Sequence, residues 1–273
     1  MLNFEQIQNY FPPQIRENPA HKKYIVKEYI QLMILNFLAT SKFVKKITFI
    51  GGTNLRLIKG IDRFSEDLDF DCKNFSAEDF KEMSQSVLIF LQRSGIRAET
   101  REKKNEKLTA FRSGIYFPEL LFESGLSAYK EERFLIKLES QNQEFEYIPK
   151  MATISSCGFF ISFPVPPDDV LCAMKLSALL SRAKGRDFYD AMFLLSQTKP
   201  NYDYLSQKQH IRNLTELKTK LMETIEKVDL LHKSKDFEHL LFNKENNKKI
   251  LYFNEFIKIL SDYQEAECST AGQ

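Results

Sequence analysis

"GGTNLRLIKGIDRFSEDLDFDC", residues 51–72, decides the fold of this chain. A short apolar run, "KITFI", leads into two glycines and a threonine. A brief helical segment follows, "TNLRLI", ending at Gly60. After a charged turn the chain returns through "DLDFDC". Side chains at i, i+2 and i+4 of a strand point to one face, so Asp67, Asp69 and Asp71 line up while Leu68 and Phe70 face the core. Three carboxylates on one face repel one another unless a cation neutralises them. Hard divalent ions bind carboxylate oxygen, and Mg²⁺ typically takes one or two carboxylates together with substrate phosphates. The turn supplies the complementary half. Gly51 and Gly52 let the backbone approach a ligand closely, and Thr53 with the first amides of the helix can donate to phosphate oxygens. Arg56, Lys59 and Arg63 stand nearby as phosphate partners. No Lys-Ser or Lys-Thr follows Gly60, so this is not a Walker A loop.

The surroundings predict mixed structure. "HKKYIVKEYIQLMILNFLATS" places Ile25, Tyr29, Leu32, Met33 and Leu35 at helical spacing within a helical first forty residues. "SAEDFKEMSQSVLIFLQRSG" carries an N-cap at Ser76, Asp79 three residues on and Gly95 at its end. "IRAETREKKNEKLTAFRSGIYF" predicts a hairpin with a charged tip over Lys103 to Lys107. "RFLIKLES" and "CGFFISFPV" predict further strands. After "PVPPDD" helical periodicity takes over: "VLCAMKLSALLSRAKG", "RDFYDAMFLLSQ", a Lys/Glu-rich stretch from about Gln209 to Lys235, and a last helix from about Asn247 to Tyr263. The expected class is α+β, with an α/β unit over residues 1–165 and a helical unit over 166–273.

A second cluster lies in "KLSALLSRAKGRDFYDAMFLL". Lys175 and Arg182, seven apart, share a helical stripe suited to phosphates, while Leu176, Leu179 and Leu180 take another face. Asp187 and Asp190 follow at i, i+3 spacing, Asp187 in a first turn where the helix dipole favours it. In "FLIKLES", Lys137 and Glu139 share one strand face, so the third metal-directed carboxylate is Glu139 or Asp71.

Bulk properties narrow the classes. The chain has 273 residues, enough for a buried core, and its net charge of +2 gives no strong hint of a nucleic-acid or membrane partner, though it leaves room for a local basic surface. The four cysteines, Cys72, Cys157, Cys172 and Cys268, lack metal or redox spacing and are expected as free thiols in a reducing cytosol. The four histidines have no ligand company. The N-terminus has no signal-peptide pattern, and "YIQLMILNFLA" is too short to span a bilayer, so no membrane partner is expected.

"GGTNLRLIKGIDRFSEDLDFD" and "KLSALLSRAKGRDFYD", in this order and about a hundred residues apart, resemble the glycine-turn and Asp-x-Asp motif and the Lys…Arg-Asp-x-x-Asp motif of the AbiEii/AbiGii nucleotidyltransferase toxins. The resemblance covers roughly residues 40–200. It implies a polymerase-β-like nucleotidyltransferase core with a mixed sheet, a nucleoside triphosphate donor, one or two Mg²⁺ ions, and a bacterial, cytoplasmic toxin paired with a separate antitoxin. Carried onto this sequence, Gly51, Gly52 and Thr53, with Arg63, Ser65 and Arg182, would hold the triphosphate. Asp67 and Asp69 would bind metal, Lys175 would contact the phosphates, and Asp187 would be the further acidic residue. Glu139 stands where such enzymes often supply Asp. The acceptor would be an RNA such as tRNA, or a protein hydroxyl. Lysines of the C-terminal half alternate with Glu216, Glu223, Glu226 and Asp229, which favours a solvated amphipathic face over an RNA-facing one. A metal-dependent nuclease or phosphohydrolase, or a binding protein with a decayed site, are the alternatives.

Overall fold

The computed structural model describes residues 2–101 and 111–260. The chain divides into two compact units, Met1–Pro166 and Pro167–Gln273. The first opens with α1 (Phe4–Gln8) and α2 (Pro13–Arg16), and then α3 (Lys22–Ala39). The single helical region expected over the first forty residues is broken because Pro12, Pro13 and Pro19 cannot continue a helix. Then follow β1 (Ile47–Ile50), α4 (Gly51–Leu57), β2 (Leu68–Cys72) and α5 (Ala77–Arg93). Ser76 and Asp79 close a capping box at the start of α5, as the sequence predicts. The unit is completed by β3 (Glu99–Arg101), β4 (Phe111–Tyr116), α6 (Leu120–Glu123), β5 (Leu135–Gln141), β6 (Lys150–Ser156) and β7 (Phe159–Val165). The expected charged tip at Lys103–Lys107 lies outside the described residues.

Five strands form one mixed sheet in the order β1-β2-β5-β4-β3, with β2 and β5 parallel and the remaining pairs antiparallel. β6 and β7 make a separate antiparallel pair. β6 was not foreseen: "KMATISS" has too few large apolar residues to announce a strand, and β7 is what gives it a partner. One sheet face is apolar because Phe49 and Phe70 are in register on β1 and β2. Their rings and Phe163 of β7 lie 6.0 Å apart pairwise, all fully buried. Such aromatic contacts add about 0.5–1.5 kcal/mol each beyond the area they bury. α3 packs on β7 and is buried almost all round, which is why its apolar residues form no narrow stripe.

The opposite face carries the carboxylates, and here Asp71 parts from Asp67 and Asp69. It is 2% exposed, its Oδ1 accepts from the Gln143 amide at 2.8 Å, and its Oδ2 accepts from the Tyr147 hydroxyl at 2.5 Å. Burial pushes its carboxyl above the ordinary range, while the Tyr147 and Gln143 bonds pull the other way. Both oxygens thus fasten residues 143–147 to β2. Of the two options for the third carboxylate, Asp71 is occupied in holding the fold.

The second unit is helical, with α7 (Asp168–Arg182), α8 (Gly185–Leu195), α9 (Tyr202–Gln209), α10 (Leu214–Ile225) and α11 (Leu230–Lys235). The one stretch expected from Gln209 to Lys235 is two helices. Asn213 caps α10 through the Glu216 amide at 2.9 Å, and Asp229 caps α11 through the Leu231 and His232 amides at 2.9 and 3.1 Å. The helix expected from Asn247 is 3₁₀ over Lys244–Tyr252 and α-helical over 253–260, beyond which the chain lies outside the described residues. The first residue of α8 is glycine because a methyl group there would run into the Lys233 carbonyl and lie 2.9 Å from a Phe237 ring carbon.

Two outcomes follow from this packing. Gly185→Ala forces backbone against backbone and is expected to destabilise the helical unit by about 1–3 kcal/mol, lowering its urea midpoint. Tyr147→Phe removes a donor to a buried carboxylate, and is expected to cost about 1.5–3 kcal/mol in the same measurement on the first unit.

Candidate active site

The glycine turn is shaped by side chains that lie against it. β1 ends at Ile50, in register with Asp69, and Gly51 follows with φ of +83°, a left-handed conformation that suits glycine. A Cβ on Gly51 would stand 2.7 Å from both Cβ and Cγ of Asp69. On Gly52 it would stand 2.7 Å from Ser65 Oγ and 3.1 Å from an Arg63 guanidinium nitrogen. Both glycines admit side chains of this chain at close range. They clear space for Asp69, Ser65 and Arg63, and so lay the returning "RFSEDLDF" segment directly on the turn.

Thr53 also turns inward. It is fully buried, and its hydroxyl donates to the Asp67 carbonyl at 2.5 Å. Its hydroxyl proton goes to that main-chain oxygen. Arg63 is 1% exposed and donates to the Phe64 carbonyl at 2.9 Å. Ser65 is 8% exposed, and its carbonyl accepts from Gln31 of α3 at 3.3 Å. Both support the segment from inside. Arg56 is likewise taken, forming a two-point ion pair with buried Glu28 at 2.9 and 3.0 Å.

What this framework presents is Asp67 and Asp69, one just before β2 and one within it, both half-buried. Asp67 accepts from Lys137 of β5 at 3.2 Å. Asp69 stands in register with Glu139 across the parallel β2–β5 pair, and Glu139 with Arg112 across β5–β4. Arg112 and Glu139 pair at 3.3 Å. The open face of the sheet thus bears rows of opposite charge. Among the described residues, no three His, Cys, Asp or Glu side chains are grouped to hold a metal ion. Asp67, Asp69 and Glu139 share a face without closing into a three-carboxylate cage. A pair of carboxylates open to further oxygen ligands suits Mg²⁺, which keeps waters or substrate phosphates in its remaining positions.

In the helical unit, the two cations expected on one open stripe are both engaged. Lys175 is 8% exposed and donates to Asp190 at 2.9 Å, and Asp190 is fully buried. Arg182 grips Asp187 with two bonds, of 2.7 and 2.9 Å. Asp187 also accepts from the Lys184 amide at 3.2 Å, which holds the first turn of α8. The stripe is therefore a set of α7–α8 cross-links, and its cations are charge-balanced. Sequence reasoning missed the part of Asp190: the signal was its spacing from Asp187, which places a second carboxylate one turn along for a second cation. The thiols of Cys72, Cys157 and Cys172 are free and buried, with Cys157 pushed up to about 11 by burial. Cys268 lies outside the described residues.

Residues 34–254 match the family model described as nucleotidyl transferase AbiEii toxin of a type IV toxin–antitoxin system. A comparison with curated proteins finds no match. Among solved structures, the fold is similar to MenT4, a nucleotidyltransferase toxin from Mycobacterium tuberculosis. That likeness has a TM-score of 0.66 at 16% identity over 96% of this chain and 90% of that one. It is similar also to JHP933 from Helicobacter pylori, with a TM-score of 0.56 at 18% identity over 91% of this chain and 96% of that one. Identities this low speak for the fold, a nucleotidyltransferase core with a mixed sheet. The family match spans most of the sequence and includes both motif clusters, and on that ground the chain belongs to the AbiEii nucleotidyltransferase toxin family.

Proposed function

We propose that this nucleotidyltransferase moves a nucleoside monophosphate from a nucleoside triphosphate to a hydroxyl of an RNA such as tRNA, or of a protein, and that it is the toxin partnered by a separate antitoxin. The observation that carries the reading is the seating of Asp69 on Gly51 beside Asp67, because it fixes two half-exposed carboxylates at a turn with no packing need for them. Asp67 and Asp69 would hold Mg²⁺, which when bound polarises the phosphoryl oxygens and stabilises the charge that develops there. Glu139 would assist from the neighbouring strand. The Gly51–Gly52–Thr53 main chain would face the triphosphate, with Arg63 and Ser65 holding that turn from within. The acceptor oxygen attacks the α-phosphorus in line, the new phosphoester bond forms, and pyrophosphate leaves.

From the helical unit, the resemblance gives Lys175 to the phosphates and Asp187 to the acidic set, with Arg182 beside it. We read the Lys175–Asp190 and Arg182–Asp187 pairs as the means by which the unit keeps these groups ordered. Action in the cytoplasm fits the chain. Among the described residues no helix is long and apolar enough to cross a membrane.

One transfer assay and four variants test this reading. Labelled nucleoside triphosphates incubated with the protein, Mg²⁺ and total RNA should give labelled macromolecule. RNA cleavage without label transfer would identify a nuclease instead. Asp69→Asn should lower transfer by at least about 100-fold, the upper end for losing even an outer partner of a metal ligand. Its melting temperature should change little, since Asn keeps the size of the side chain that lies against Gly51. Gly51→Ala should lower transfer with every carboxylate retained, because the methyl displaces Asp69. Lys175→Ala alone breaks a buried ion pair with Asp190 and is expected to cost about 3–5 kcal/mol of stability. The double change Lys175→Met with Asp190→Leu should restore the melting temperature but not triphosphate binding. Normal nucleotide affinity in that double variant would take Lys175 out of the site.

A further inference from the structure

Two ion pairs of the same chemistry, a lysine and an aspartate, differ sharply in setting. Lys175 and Asp190 are 10% and 0% exposed at the side chain. Lys137 and Asp67, 3.2 Å apart, are 46% and 22% exposed. The first is sealed within the helical unit. The second is open to water on the face of the sheet that carries the candidate metal ligands. An exposed lysine–carboxylate pair is held only weakly, and the compact, freely rotating ammonium of lysine exchanges partners easily. The Asp67 main chain is anchored all the same, since its carbonyl accepts from buried Thr53. Asp67 can therefore change its counter-ion without moving. The neighbouring ammonium, Lys27, is not equivalent: its side chain is 12% exposed and it lies 3.6 Å from Glu66. The strand register fixes where a released Lys137 stays. Leu68 pairs with Leu138, so Lys137 and Glu139 flank that position on the face of Asp67 and Asp69.

We propose that Lys137 is a transferable counter-ion: it neutralises Asp67 when the site is empty of substrate, and passes to the triphosphate when a divalent cation takes Asp67. The inference rests on the reading of Asp67 and Asp69 as metal ligands and goes beyond it by giving Lys137 two successive partners. Metal and nucleotide then bind cooperatively. The phosphates accept the ammonium that the metal expels, and each ligand prepares the site for the other. Lys137 contributes a cost to binding the metal alone and a gain to binding the metal–nucleotide pair. An ordinary salt bridge to Asp67 contributes the cost without the gain.

The opposite signs are the test. Mn²⁺ is titrated by electron paramagnetic resonance of the free ion, first without nucleotide. A triphosphate analogue that cannot be cleaved at the α-phosphorus is then titrated at saturating Mn²⁺. Lys137→Met keeps the aliphatic stem and is expected to tighten Mn²⁺ alone by about fivefold, the scale of a lost exposed ion pair. The same change is expected to weaken the analogue by about tenfold, the scale of a lost charged contact. Lys137→Arg should keep the affinity for the analogue. Unchanged or weaker Mn²⁺ binding in Lys137→Met, with Asp69→Asn abolishing Mn²⁺ binding, overturns the exchange and leaves the metal site standing. Tighter Mn²⁺ with unchanged analogue affinity overturns the transfer to phosphate. If the unaltered protein takes up no Mn²⁺ with or without the analogue, the metal reading itself fails and this inference with it.

Discussion

Asp69 lies against the backbone of Gly51, in a place that any side chain at position 51 would fill. That single steric fact sets the relation between the first turn after β1 and the strand that returns beside it. Gly52 repeats the arrangement one residue on, with Ser65 and Arg63 in the space. Thr53 then ties the turn to the main chain of Asp67. Three consecutive small residues thus receive one returning segment at several points. The aromatic contacts of Phe49, Phe70 and Phe163 secure the far side of the same two strands. The carboxylates gain fixed positions from the close fit of this turn, where a side chain at position 51 would meet Asp69 at its Oδ2 first.

The order of strand, glycine turn, short helix and carboxylate strand was legible because each element carries a local signal: an apolar run, a Gly-Gly pair, then period-two alternation. The capping box of α5 was legible for the same reason. What escaped was whatever depends on contacts distant in sequence. Nothing in "GGT" says that its neighbours are Asp69, Ser65 and Arg63 rather than a ligand. Nothing in "DLDFDC" says that Asp71 meets Tyr147, more than seventy residues on. β6 needed β7 to exist at all.

The basic residues carry the same point. Periodicity put Lys175 and Arg182 on one stripe, and that much holds on α7. It could not show that α8 answers each cation with a carboxylate, because spacing on one helix contains no account of the helix beside it. A buried charge requires a partner, so a buried lysine near an Asp-x-x-Asp helix should be assigned a carboxylate first and a ligand second. Applied to Arg63, 1% exposed, the same reasoning makes it a fixture of the turn before anything else.

The bond from Thr53 to Asp67 goes to a main-chain oxygen, and a main-chain oxygen survives any substitution at that position. The anchoring of the chain and the charge it displays are therefore inherited separately. A copy that has lost the Asp67 carboxylate keeps the tie between turn and strand, and its charge can change while its fold does not.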